Sequence, residues 1–382
     1  MSHWNGEIMN FICDKQQLQN ALALVGRAVS VRTTMPILEC VLLTAQENGV
    51  LTLHGCDKEI SIDIAEIPAQ VDEAGEIALD ARLITEIVRK LSGESIAIET
   101  DEKFNAICKS GRSRLKIAGQ SSEEFPMIPE NELSSIQHRY TMKSSALKNM
   151  INQTIFSVSL DQTKLVLTGE LMEIQNNVLQ MVAIDMFRIS YAKEMLPEGS
   201  PDAKAVIPSK ALNELSRMLS SEGDNEISFF FTKNRAVFET KEFRLVSSLL
   251  VGDFIRYDQI HNEDFTTMVV VNRAELLSSF ERAVLMAVEN RMLPIKMDIK
   301  DDDLTITAMS DRGEVEDGIP CQTEGKDLTI YFNPKYFIDA LRVINEAQVV
   351  LKFNTVLSPA TIKGNDETVG HKYLIVPLRP PN

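Results

Sequence analysis

One short pattern occurs three times in this chain, and that recurrence limits the possible folds more than any other feature. It reads IALDARLITEIVRKL at 77–91, AVIPSKALNELSRML at 205–219 and TIYFNPKYFIDALRVI at 329–344. Arg82, Lys210 and Lys335 stand at matching places, and Arg89, Arg217 and Arg342 follow seven residues after each. Glu86, Glu214 and Asp339 repeat in step. A charge pattern that recurs together with an apolar pattern points to three copies of one structural unit. Each copy predicts a short strand that turns into a helix, with Asp80, Ser209 and Asn333-Pro334 as start signals. At 100° per residue Ile84, Ile87, Val88 and Leu91 share one face, while Arg82 and Arg89 share the opposite one. In the third copy Phe337, Ala340, Leu341 and Ile344 lie inside, with Lys335 and Arg342 outside. A single such helix reads as an ordinary amphipathic element whose charges compensate locally. Recurrence of the same sign at the same two positions suggests that something outside meets these faces.

The rest of the chain repeats around that pattern. YTMKSSALKNMINQTIFSVS from residue 140 parallels FICDKQQLQNALALVGRAVS from residue 11. The first copy predicts a strand over 10–14, a helix to about 28, and a loop 30–35 carrying Arg32. Strands over 37–46 and 50–55 turn at Glu47-Asn48-Gly49. After the recurring helix come strands 95–100, 104–110 and 113–118. The second copy predicts strands 164–175 and 178–184 around Asn176-Asn177, then 226–232, 236–240 and 243–250. The third predicts 269–271, a helix 274–288, and strands 296–300 and 304–309 around Asp301-Asp302-Asp303, an acidic run read as a solvated hairpin turn. Polar linkers are expected at 126–137 and 261–265. The fold class is therefore α+β: three tandem repeats of two helices packed against antiparallel sheets. The expected divisions are an extension 1–8, then 9–129, 130–262 and 263–382.

At 382 residues, 44% of them hydrophobic, the chain is large enough for two or three cores. No apolar run approaches 18 residues and the first residues lack a secretion signal, so a cytoplasmic protein with no membrane partner is expected. Cys13, Cys40, Cys56, Cys108 and Cys321 are odd in number and unpaired in spacing, which suits reduced, buried thiols. With 39 Lys+Arg against 55 Asp+Glu the net charge is −16. That balance argues against holding nucleic acid by overall charge, but allows a local basic surface. No phosphate-binding glycine loop, dinucleotide fingerprint, zinc-protease helix or serine-hydrolase elbow is present, and His3, His54, His138, His261 and His371 never approach metal-ligand spacing. No catalytic residue, metal or cofactor is expected. Asp185 and Arg188 form a possible acid–cation pair, without a nucleophile to serve.

Several segments together carry a resemblance that covers residues 9–379: Met35-Pro36-Ile37-Leu38 after an arginine loop, Ser110-Gly111-Arg112-Ser113-Arg114, and 183–189. Gly252-Asp253-Phe254, Phe332-Asn333 and the closing Val376-Pro377-Leu378-Arg379 complete it. In order and spacing the chain resembles the bacterial DNA polymerase III beta subunit, the replication sliding clamp. The resemblance implies a non-catalytic processivity factor, a head-to-tail homodimer whose six domains close a ring around double-stranded DNA without sequence preference. It implies that helices line the hole, so that Arg32, Arg82, Arg89, Lys210, Arg217, Lys335 and Arg342 face DNA. Glu86, Glu214 and Asp339 would moderate that face and keep contact loose. It implies a pocket for short peptides of the replicative polymerase catalytic subunit, the clamp loader and other clamp-binding proteins. The pocket wall would be Leu167, Gly169, Ile184, Phe187, Arg188, Ile189, Ile255, Ile260, Leu374, Val376, Pro377 and Leu378, with Asn333, Tyr336, Leu357 and Arg379 forming a shallower part. The dimer contact would join Arg112, Arg114, Leu115 and Ile117 to Leu285, Met286, Glu314, Glu316 and Asp317 of another copy. Departures from the family pattern fall in the pocket. Met186-Phe187 replaces a usual Gly-His, Ile255 stands where proline is common, Gln259 where a basic residue is frequent, and Pro380-Pro381-Asn382 extend the tail. Peptide preference is expected to differ accordingly. The other reading kept is an enzyme or small-ligand-binding protein built on the same α+β units.

Overall fold

The computed structural model describes residues 8–30, 32–128, 133, 138–286, 294–366 and 370–379. The expected extension (apart from Ile8), most of the linker 126–137, residues 287–288 of the third copy's first helix and the 380–382 tail lie outside them. Among the described residues six principal helices fall in pairs. They are α1 Lys15–Val25 and α2 Ala81–Lys90, α3 Ser144–Thr154 and α4 Ser209–Met218, α5 Arg273–Val284 and α6 Pro334–Val343. Asp14, Asp80, Asn272 and Asn333 cap their helices by accepting backbone N–H groups of Gln17, Leu83, Glu275 and Lys335. The expected cap at Ser209 is not made: Ser209 is already helical and Pro208 precedes it without a side-chain bond.

The apolar stripes go where the periodicity places them. Ile84, Ile87 and Val88 of α2, Ala211, Leu212 and Leu215 of α4, and Phe337, Ala340 and Leu341 of α6 are buried. Burying each large side chain of this set contributes roughly 1.5–3 kcal/mol. The paired helices are also tied at one end by charge. Lys15 Nζ reaches the Leu91 carbonyl at 2.9 Å, Lys148 Nζ the Leu219 carbonyl at 2.8 Å, and Arg273 the carbonyls of Leu341 and Glu346. In every repeat a cation of the first helix thus satisfies carbonyls at the C-terminal end of the second, where the helix dipole favours positive charge.

Among the described residues eight strands accompany each pair of helices, and three turns have the backbone their sequences require. Gly49 has φ +82°, Asn176 and Asn177 have φ 52° and 62°, and Asp301 and Asp302 have φ 51° and 60°. The acidic run is a hairpin turn in which Asp302 accepts from both the backbone and the hydroxyl of Thr323. These bonds hold the Asp302 carboxyl below its ordinary range. Two expected strands begin late. Pro36–Glu39 and Gln162–Thr168 are 3-10 turns before strands Cys40–Gln46 and Gly169–Gln175. Pro36 occupies the first turn of one, where its missing N–H is no loss. Gly169 then passes so close to the strand Ala203–Pro208 that a Cβ would lie 2.5 Å from the Ile207 carbonyl oxygen.

The described residues divide into two compact units, and the division cuts through the second repeat. The first holds 1–143 and 225–249, the second 144–224 and 250–382. Each contains one twelve-stranded sheet. Within the first unit the fourth strand of repeat one, Ile60–Glu73, pairs antiparallel with the eighth strand of repeat two, Arg244–Ser248. Within the second unit the fourth strand of repeat two, Arg188–Met195, pairs in the same way with the eighth strand of repeat three, His371–Ile375.

One group in the second unit stands apart. Glu170 is fully buried, and among the described residues neither carboxyl oxygen has a hydrogen-bond partner. The Thr154 hydroxyl beside it gives its proton to the Met150 carbonyl at 2.7 Å instead. Burial pushes the Glu170 carboxyl up to about 8. The folded chain therefore keeps a proton that the unfolded chain releases, and stability falls as pH rises from the ordinary carboxylate range toward 8. Glu170→Leu is expected to raise the melting temperature by a few degrees at pH 8 and by less at pH 5, read by calorimetry. An equal change at both pH values would contradict the buried neutral acid.

Candidate functional site: three cationic helices, two open edges and an apolar cluster

The recurring cations all lie on exposed positions: Arg82 and Arg89 on α2, Lys210 and Arg217 on α4, Lys335 and Arg342 on α6. Arg32 is exposed on its loop as well. Lys90 adds a further exposed cation to α2, which the repeat did not mark because its counterparts are Met218 and Val343. The acids moderate two of the three faces as expected. Glu86 bonds Arg89 at 2.5 Å and approaches Lys90, and Glu214 bonds Arg217 at 2.6 Å. The third departs: Asp339 turns to Arg188 at 2.7 Å, and Arg342 pairs with Glu281 of α5 at 2.8 Å. All these helix cations are more than half exposed in their pairs, so they remain weakly held.

The strand-pairing rule seen twice within the chain is unfilled twice. The fourth strand of repeat three, Gly313–Gly325, pairs over 313–320 with Asp303–Ser310 on one side only, and turns to Thr267–Asn272 from 321 onward. The eighth strand of repeat one, Ser113–Gln120, pairs with Asn105–Ser110 and touches Gly75–Asp80 only at Gly119 and Gln120. Among the described residues each of these strands thus has one edge without a partner over most of its length. Arg112, Arg114 and Leu115 are exposed on one; Leu285, Glu314 and Glu316 are exposed beside the other. Two of the expected contact residues are less open than the others. Ile117 is only 7% exposed, because the alternation of its strand turns it into its own core. Asp317 is held by Arg282 at 2.9 Å and by Ser279 at 3.0 Å, so its charge is already answered.

In the second unit, Ile184, Ile260 and Leu374 lie in one apolar cluster with Leu171, Val182, Tyr191 and Val206. Ile189, Phe254 and Tyr257 pack on its edge. Strand register explains the meeting: Ile184 pairs with Ile189, which pairs with Leu374. Leu167 is buried at the end of its 3-10 turn, and Gly169 follows it. Phe187, Ile255 and Val376 are exposed, with Met186 more so at 61%. Val376 donates its N–H to the Phe187 carbonyl at 2.8 Å, and Leu378 donates to the Tyr331 carbonyl at 2.7 Å, which ties down the closing segment on either side of Pro377. Asn333 caps α6 and Tyr336 stacks on Phe187, whereas Leu357 is 71% exposed in a turn closed by Thr355 and Ser358. Arg379 is exposed at the end of the described chain.

Polar bonds brace the wall. Tyr257 donates to Glu173, and burial together with that carboxylate keeps the phenol protonated. Lys372 donates to the Ile260 carbonyl at 3.0 Å and also binds Glu263, which Lys352 reaches at 2.6 Å. Partial burial opposes the charge of Glu263, but its bonds to Lys352 and Lys372 outweigh it and bring the carboxyl down to about 2. The result is a buried apolar cluster on a fixed rim, with Phe187, Ile255 and Val376 exposed beside it. Among the described residues no group of three His, Cys, Asp or Glu side chains could hold a metal ion, and no helix is long and apolar enough to cross a membrane.

Comparison with known proteins gives a consistent result. The chain matches the DNA polymerase III beta subunit family three times: the N-terminal domain over residues 9–129, the central domain over 141–255 and the C-terminal domain over 259–379. It is 33% identical to the beta sliding clamp of Bacillus subtilis, with 97% of this chain and all of that protein covered. A crystal structure of a DNA polymerase III beta subunit from Eubacterium rectale superposes with a TM-score of 0.92 at 36% identity, over 97% of this chain and 100% of that one. A sliding clamp from Pseudomonas aeruginosa, solved with griselimycin bound, gives 0.90 at 27% identity, over 98% of this chain and 100% of that one.

Proposed function

Because the chain belongs to the DNA polymerase III beta subunit family, we propose that it is a processivity clamp that encircles duplex DNA and tethers the replicative polymerase. The observation that carries the ring is the pairing rule. Fourth and eighth strands of successive repeats join twice within the chain, and one strand of each kind is left with an open edge. A second copy supplies both missing partners head to tail, and a heterologous contact of this kind closes when the rotation returns to the start. The closed form is a homodimer with three domains per subunit, 9–129, 130–262 and 263–382, working in the cytoplasm without catalysis. The cations of α2, α4 and α6 then face the duplex, with loose contacts bridged by water, so that retention is topological and sliding stays easy.

The apolar surface of the second unit takes short peptides from the polymerase catalytic subunit, the clamp loader and other clamp-binding proteins. The exposed apolar side chains of Phe187, Ile255 and Val376, beside the cluster of Ile184, Ile260 and Leu374, support this reading. The family assignment does not favour an enzyme or small-ligand-binding protein. Loading onto a nicked circular plasmid tests the proposal: the protein should stay bound through gel filtration and leave when the plasmid is cut once. Equal retention on circular and linear DNA would contradict a topological hold.

A further inference from the structure

We infer that a cleft on the sheet face where repeats one and two join is a binding site for a small molecule with an apolar body and a terminal carbonyl oxygen, held by His54. The cleft lies wholly within the first unit. Its volume is about 460 Å³, within the range of small-ligand pockets.

The two junctions between repeats share their strand pairing and differ in their side chains. Where repeats two and three join, Leu171, Val182, Tyr191 and Lys372 stand side by side across the strands, and Ile184, Ile189 and Leu374 form the neighbouring row. Most of these side chains are buried together with Ile260 in one filled cluster. Where repeats one and two join, the matching rows are Leu42, His54, Asp63 and Arg244, then Cys56, Ser61 and Val246. Leu133 clusters with Val246 as Ile260 does with Leu374. A carboxylate in place of the Tyr191 ring, and Cys56 and Ser61 in place of two isoleucines, leave volume that close packing would otherwise fill.

The lining of that volume has an apolar part and an unmet donor. Leu42, Leu133, Phe243 and Val246 are buried in it, and Met127 is exposed at 58%. Asp63 accepts from His54 Nδ1. Burial opposes a charge on His54, but the bond to Asp63, with the Cys56 sulfur nearby, outweighs it and brings the imidazole up to about 9. At neutral pH Nε2 therefore carries a proton as well. The His54 side chain is only 9% exposed, and among the described residues Nε2 has no hydrogen-bond partner. Ser61 Oγ, in the neighbouring row, is likewise buried with none among them. An unmade bond at a buried donor is costly, and an oxygen acceptor entering the cleft removes that cost. The other charged side chains of the lining, Asp63, Glu239 and Glu242 against Lys241 and Arg244, leave His54 to make the balance even. Arg244 also bonds Glu239 at 2.7 Å. Net charge thus does not select an ion. The carbonyl oxygen is the requirement, and a carboxylate and an amide both meet it.

Octanoate, octanamide and octylammonium share one chain length and test this, since only the first two bring an acceptor. They are titrated into the full-length protein at neutral pH with the methionine methyl groups followed by NMR. Octanoate and octanamide are expected to shift the Met127 signal, assigned with Met127→Leu, and to bind about ten- to hundredfold more tightly than octylammonium. His54→Leu should bring that ratio to about one. Thr52→Phe, which places a ring in the cleft, should abolish binding of all three. Circular dichroism establishes that each variant is folded; should His54→Leu not fold, Thr52→Phe decides alone. Octanoate binding more tightly than octanamide supports the site with an acid as its occupant, and equal affinity supports it with a neutral acyl group. No saturable shift at Met127 with either carbonyl probe, octylammonium binding as tightly, or a ratio unchanged in His54→Leu overturns the site. A shift confined to Met186, which belongs to the second unit, overturns it too.

Discussion

Charge reversal of Arg112 and Arg114 to glutamate is expected to turn the proposed dimer into monomers, with the mass from light scattering falling from two chains to one. Both arginines are exposed beside the open edge of Ser113–Gln120. In the proposed contact they face Glu314 and Glu316, which are exposed along the open edge of Gly313–Gly325. Placing like charges opposite one another across an interface costs several kcal/mol; about 3 kcal/mol weakens dimerisation roughly a hundredfold. Backbone pairing along the edge and the exposed side chains of Leu115 and Leu285 remain, so the effect should weaken as salt is raised. Adding Glu314→Lys and Glu316→Lys to the same chain should restore the dimer. A double reversal that stays dimeric at submicromolar concentration would place the contact elsewhere.

The second large effect concerns DNA. Replacing Arg32, Arg82 and Lys210 together with glutamate should reduce loading on circular DNA while the proposed dimer persists. In water a unit charge about 8 Å from a phosphate is worth about 0.5 kcal/mol, and a reversal changes that twice over. Three sites then sum to about 3 kcal/mol, or roughly a hundredfold at low salt. The loss should shrink near physiological salt, where the screening length is about 8 Å. Light scattering on the same sample separates this result from a failure of closure. Loading unchanged at low salt would mean that these helix faces do not meet DNA.

Much of this is legible in the sequence because it is local. The helix pairs are read from periodicity, since an amphipathic stripe must bury one face wherever the chain places it. The turns at Gly49, Asn176-Asn177 and Asp301-Asp302 follow from residues that tolerate positive φ. The late starts of the strands at Cys40 and Gly169 were missed because an apolar run such as Ile37-Leu38 fits a 3-10 turn as well as a strand. The wall residues of the proposed peptide site follow from resemblance and not from any local pattern. The bonds from Arg188 to Phe156 and Asp339 had no signal, since 32 and 151 residues separate the partners and no spacing rule spans such distances.

By itself, then, the sequence determined the threefold repeat, the two helices of each copy and the two cations each second helix exposes. Periodicity and charge act within a few turns of the chain, so they can be read without a fold. Tertiary structure alone decided that the sheets run across repeat boundaries, that two strand edges stay open, that Ile117 turns inward and that Asp339 leaves its own helix. Those outcomes depend on which distant strand or side chain arrives at a given place, and that is set by packing of the whole unit.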